Sequence, residues 1–276
     1  MEPGDQRRRR RFALHWSAAM GGAAGLLLAF MLLPIFALVF TLSWDEFSAG
    51  ISHPLVMPAL KLSLTTTVSS LAIVIALGTP LAWLISRREG RVIRLIETLV
   101  RLPVVLPPAV AGVALLLAFG RMGLLGGWLD QFGWSIPFTT VAVVLAEVFV
   151  SAPFYLQSAV SAFRGIDESL LVVARTLGAS PARVFLRVAL PLAAPALIAG
   201  GAMAWARALG EFGATLMFAG NLTGETQTLT LAVYTTFESD MRAAQAISVV
   251  LVAVAFTLLY VLTVKSGRDR SLAEAK

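Results

Sequence analysis

Cysteine is absent from the 276-residue sequence, which excludes disulfides, thiolate metal sites and cysteine nucleophiles. Histidine is nearly absent. His15 and His53 both stand beside apolar segments, so neither a histidine metal cage nor a Ser-His-Asp hydrolase can be assembled. No G-x-x-x-x-G-K-S/T loop occurs, so the chain does not bind ATP in the P-loop manner. Charged residues are sparse at 14%, whereas 58% of the chain is hydrophobic and the mean hydropathy is +0.81. A soluble domain averages nearer half apolar even with glycine counted, so this is an integral membrane protein. The net charge of +6 comes from basic residues grouped between apolar segments rather than along one face. That distribution indicates membrane topology, not nucleic-acid binding.

The basic run Arg7–Arg11 precedes an apolar segment over about 17–42. A secretory signal core is about 7–15 residues, so this longer segment reads as a retained first span. Trp44 marks the outer interface, where aromatic rings settle. Further spans are expected near 59–85, 99–119, 138–162, 192–219 and 243–264, each long enough for about 30 Å of hydrocarbon at 1.5 Å per residue. Pro103, Pro107 and Pro108 make the third irregular and dependent on shielding by neighbouring protein. The expectation is an all-α integral membrane protein with six transmembrane helices: a basic segment 1–16, a six-span domain 17–264 and a short tail 265–276. Arginines concentrate at 7–11, 87–101 and 164–187, while the opposite side holds Lys61, Arg121 and Arg242 close to span ends. By the positive-inside rule both termini are cytoplasmic.

The stretch from Asp167 to Pro191 carries Arg175, Arg183 and Arg187 and has helix-period apolar residues on both sides of Gly178. Gly178 followed by Ala179, Ser180 and Pro181 stops one short helix and starts another. The result is a helix-turn-helix elbow at the membrane surface, basic and amphipathic, suited to a partner. Ala174, Gly178 and, after nine intervening residues, Val188, Leu190 and Pro191 resemble the EAA loop of ABC-importer permeases. The chain departs from that pattern at Val172 and Val173, where the family has Glu and Ala. The resemblance implies a coupling loop at about 163–191. In it Ala174, Gly178, Ala179, Ser180, Leu190 and Pro191 engage a cleft on a separate cytoplasmic ATPase.

A second stretch, Arg207–Asp240, with its Gly210-Glu211-Phe212-Gly213-Ala214-Thr215 core and Phe218-Ala219-Gly220-Asn221, resembles molybdate ABC permeases. Leu102–Gly126 is similar to the same family's third-span region. Sulfate and thiosulfate permeases share the GEFG core, and Thr215, Met217 and Gln227-Thr228-Leu229 favour molybdate. The resemblance implies a type I ABC importer permease fold in a bacterial cytoplasmic membrane. It also implies a homodimer, a partner ATPase dimer that binds ATP and Mg, and an extracytoplasmic molybdate-binding protein, with no cofactor in this chain. Sulfate, thiosulfate or tungstate transport is the alternative within the class. A secondary anion transporter is the alternative outside it, and would need an internal repeat and broken helices with ion-coordinating groups at mid-membrane.

Counted along a helix from Pro191, Arg207 lies about 24 Å up and Glu211 about 30 Å. Charges at that depth face protein or water, and this pair at i, i+4 can neutralise itself while fixing the helix against a neighbour. Arg207, Glu211 and Thr215 are candidates for the translocation path. Gly200, Gly201, Gly210 and Gly213 are expected at close helix approaches. Glu147 is a further charge with no partner evident in sequence. Asn221-Leu222-Thr223 matches a glycosylation acceptor by chance.

Overall fold

A computed structural model describes residues 3–274, with side chains placed for 20–261. The arginine run at 7–11 and the basic tail lie outside the residues with described side chains. Among the described residues every regular element is helical. Helix α1, Pro3–Phe40, contains the apolar stretch Met20–Phe40, which touches the rest of the chain sparsely and exposes Leu26, Phe30 and Leu33. Ser43 and Glu46 form a reciprocal capping box that starts α2, Trp44–Ile51. This short helix was not expected beyond its first tryptophan. Gly50 lies on it where an added Cβ would collide with Ala246, so its backbone presses against α13, Met241–Glu274.

Helices α3, Val56–Ser86, and α7, Thr140–Arg164, form the central pair. Between them the expected third span is two helices: α4, Arg91–Val105, and α5, Pro108–Phe119, bent by 118°. The cause is Pro107-Pro108, which removes two successive N–H donors and holds Leu106 extended at ψ 131. α5 leads through α6, Gly126–Asp130, into α7. After α7 come α8, Glu168–Thr176, and α9, Pro181–Val184. A π-turn over Phe185–Ala189 passes directly into α10, Leu190–Leu209.

The fifth span therefore begins near Pro181 and stops at Gly210, rather than running from 192 to 219. The apolar run beyond it is a separate helix, α11, Gly213–Phe218, followed by α12, Leu229–Phe237. Among the described residues five helices are long and apolar enough to cross a membrane, and α4 with α5 supplies a sixth crossing if counted as one broken span.

Of three apolar clusters among the described residues, two mark the ends of the bundle. One gathers Ile85, Tyr155, Phe163, Leu171, Val184 and Ala193, tying the ends of α3 and α7 to α8, α9 and α10. The other, at the far end, joins Ala111 and Leu115 of α5 to Val143 and Val150 of α7 and Phe218 of α11. The elbow thus rests on one end of the bundle and α11 on the other.

Candidate functional site

The elbow is built from its caps. The Asp167 carboxylate accepts the Ser169 N–H at 2.9 Å and opens α8. That backbone bond holds the Asp167 carboxyl below the usual range. At the other end Gly178 takes φ +83, the left-handed region that glycine occupies without strain. Its N–H reaches the Arg175 carbonyl at 2.9 Å, and the Ala179 N–H reaches the Ala174 carbonyl at 3.1 Å. These two bonds are a Schellman termination. Ser180 Oγ then accepts the Arg183 N–H at 3.4 Å and starts α9 with Pro181 in its first turn. The expected helix-turn-helix is present, and Ala174, Gly178, Ala179 and Ser180 make its turn.

An aromatic group anchors the elbow to the membrane bundle. Trp83 of α3 meets Phe163 of α7 edge-on at 5.3 Å and Phe185 of the π-turn at the same separation. Arg87 lies over the Trp83 ring at 4.7 Å and donates to the Phe163 carbonyl. Burial lowers the Arg87 guanidinium from its ordinary value, and Glu168 at the start of α8 opposes that shift. Movement of the elbow is therefore mechanically tied to α3 and α7.

The predicted loop residues divide by exposure. Ala174, Ala179 and Leu190 are half-buried against the bundle, whereas Gly178, Ser180 and Pro191 are exposed. The apolar surface offered outward comes from residues not singled out for contact: Leu170, Val172, Val173 and Leu186, with Leu177 82% exposed. Their signal was present in Val172 and Val173, which replace the polar and small residues of the EAA pattern. A Cβ at Gly178 would meet nothing within 4 Å, so the turn is open on its outer side.

At the opposite end, Arg207 Nη2 pairs with Glu211 Oε2 at 2.7 Å. Glu211 stands past the end of α10, not on it, and its Oε1 accepts the Ala214 N–H at 2.8 Å, capping α11. The Thr230 hydroxyl donates to the Glu211 carbonyl at 2.6 Å, joining α12. Glu211 and Thr215 are buried; of the three path candidates only Arg207 presents an exposed side-chain face. Gly213 and Gly200 fulfil the close-approach expectation, with added Cβ atoms falling 2.7 Å from Pro108 and 2.6 Å from Ser158. Gly201 makes only ordinary contacts and Gly210 meets no other helix.

Glu147, for which the sequence shows no partner, lies fully buried and accepts a hydrogen bond from Thr66 at 2.8 Å. Thr66 belongs to a buried polar stripe on α3 with Ser63, Thr67 and Ser70, and Ser63 Oγ accepts the Leu229 N–H that opens α12. The i, i+3, i+4, i+7 spacing of these hydroxyl residues was the available signal.

Residues 75–266 match the family described as the inner membrane component of binding-protein-dependent transport systems. The chain belongs to this family. Within the family it is 46% identical over 228 residues to the molybdenum transport system permease protein ModB of Mycobacterium tuberculosis, covering 83% of this chain and 86% of that protein. It is 32% identical to the sulfate transport system permease protein CysT of Escherichia coli, covering 94% and 95%. A solved bacterial ABC transporter that imports the polysaccharide alginate shares the fold, with a TM-score of 0.73 at 17% identity and coverage of 97% and 99%. The chain is thus a multi-pass membrane permease subunit of an ABC importer, with the type I importer permease fold. Members of such a family are transport components, not enzymes.

Proposed function

We propose that this permease carries molybdate into a bacterial cell across the cytoplasmic membrane, as a homodimer driven by a separate ATPase that binds ATP and Mg. An extracytoplasmic binding protein delivers the anion. The observation that carries the substrate is the 46% identity to a molybdenum permease against 32% to a sulfate permease. The elbow side is cytoplasmic because Arg87, Arg88, Arg91, Arg94, Arg164, Arg175, Arg183 and Arg187 crowd that end.

In this mechanism the coupling loop is 163–191, and Leu177 with Val173 and Leu186 supplies the apolar contact for the ATPase cleft. ATP-driven closure moves the two elbows. Motion passes through Trp83, Phe163 and Phe185 to α3 and α7, and the outer end around α5 and α11 opens. The ATPase shifts this equilibrium only by as much as it binds one elbow arrangement better than the other. Arg207 attracts the dianion at the outer mouth, and its pairing with Glu211 keeps that attraction weak enough for release.

ATP hydrolysis by the reconstituted complex, with its ATPase and binding protein, tests this. Molybdate should stimulate turnover while sulfate leaves it unchanged. Stimulation by sulfate alone would replace the substrate, and no response to any oxyanion would remove the oxyanion reading.

A further inference from the structure

A cavity of about 240 Å³ opens between α4 and α7 at the elbow end of the bundle. Its polar wall is Glu97, Arg101, Gln157, Ser161 and Arg164, and its apolar wall includes Val100 and Leu156. Arg164 is the last residue of α7, so the polar wall sits where the span leaves the hydrocarbon. Leu156 is two turns deeper, about 12 Å along the helix. A ligand that fits has a charged head at the surface and methylenes below it.

The charges favour an anion. Arg164 is paired with Glu97, which leaves the cavity with one uncompensated cation, since the Arg101 guanidinium has no hydrogen bond or ion pair among the described residues. The second, independent observation is the surface of α4 itself. Ile93, Ile96, Glu97 and Val100 turn toward the bundle, while Val92, Leu95, Leu99 and Leu102 are 69%, 58%, 52% and 46% exposed. Arg91, Arg94 and Arg101 lie on a third face between those two. A helix with an outward apolar stripe flanked by arginines is the pattern of one lying at a lipid interface beside acidic headgroups.

We propose that this cavity holds the headgroup phosphate of an anionic phospholipid from the leaflet on the elbow side, with Arg101 as its main charge contact and an acyl chain descending past Val100 and Leu156. Identifying that leaflet as the cytoplasmic one rests on the topology of the proposed function; the binding itself does not. A bound lipid would brace α4 against α7 beside Arg87 and Phe163, where elbow motion enters the bundle.

The test is thermal unfolding and lipid retention of the purified full chain in mixed micelles of phosphatidylcholine, with and without phosphatidylglycerol, needing neither ATPase nor transport. Phosphatidylglycerol should raise the midpoint of the wild type and co-purify with it. Arg101→Gln should retain it about fivefold more weakly, the loss expected for one basic side chain near an acidic surface. Gln157→Leu, at a second exposed wall position, should weaken it in the same direction. Equal retention by wild type and Arg101→Gln would overturn the proposal. So would stabilisation by inorganic phosphate or molybdate but not by lipid, which would make the cavity a free-oxyanion site. Loss of dimer mass in Arg101→Gln would also overturn it, by placing a second copy there.

Discussion

Glu211 stands beyond the end of α10, yet its carboxylate reaches back to Arg207 at 2.7 Å and forward to the Ala214 N–H at 2.8 Å. One side chain therefore closes the fifth span and opens the short helix that packs on α5. The outer end of the molecule depends on this joint, because Gly213 next to it lies against Pro108.

Removing the carboxylate should loosen that joint. Glu211→Ala strands Arg207 and the Ala214 N–H, at a cost of about 2 kcal/mol. That lies below the roughly 3–5 kcal/mol of a fully buried pair because Arg207 is 28% exposed. Thermal unfolding of Glu211→Ala, Arg207→Ala and the double variant gives the coupling. The double variant should be less destabilised than the two single losses added together.

Gly178 separates backbone strain from partner contact. Gly178→Ala places a Cβ in open space but at φ +83, costing about 1–2 kcal/mol. The permease should stay folded in the membrane while ATP-driven uptake is lost. Gly178→Asn, which tolerates the left-handed region, should recover stability but not uptake, as measured by unfolding and transport in parallel.

Packing of α10 on α7 should be intolerant of a side chain at Gly200. An added Cβ falls 2.6 Å from Ser158 Cβ and 2.8 Å from its hydroxyl, so Gly200→Leu must push α10 off α7. Overpacking of this kind costs about 1–3 kcal/mol. Gly201→Ala, whose nearest neighbours are methyls at 3.9 Å, should unfold at the wild-type temperature.

The cap at Asp167 should make α8 sensitive to acid. Its carboxyl is held below the ordinary value by the Ser169 N–H. The cap's contribution is therefore complete above the unfolded pKa of about 3.9, and is lost as pH falls through the lower folded value. Amide protection of Ser169 and Leu170 should drop in that acid range. Asp167→Asn should remove the pH dependence while keeping a cap.

Much of this was legible because its causes are local. The elbow follows from Gly178-Ala179-Ser180-Pro181, residues adjacent in the chain that set their own turn. The prolines at 107 and 108 announce the break, whereas the packing of α5 against α11 joins residues about a hundred positions apart and has no local signal. The end of α10 is obscured in sequence by the apolar run that continues to Ala219, although Gly210 stands at the stop and the Glu211 carboxylate caps the next helix. α2 escaped notice although Ser43 and Glu46 have capping-box spacing. The hydroxyl stripe at Ser63, Thr66, Thr67 and Ser70 is legible on α3, but Glu147 is 81 residues from Thr66 and no local pattern joins the two.

The central claim is that this permease imports molybdate under power delivered at the elbow. The most direct measurement is uptake of radiolabelled molybdate into proteoliposomes containing the permease, its ATPase and its binding protein, with ATP on the ATPase side and sulfate in excess. The account predicts ATP-dependent accumulation that excess sulfate does not reduce and that Gly178→Ala abolishes. Accumulation without ATP, or equal accumulation in the Gly178 variant, would contradict it.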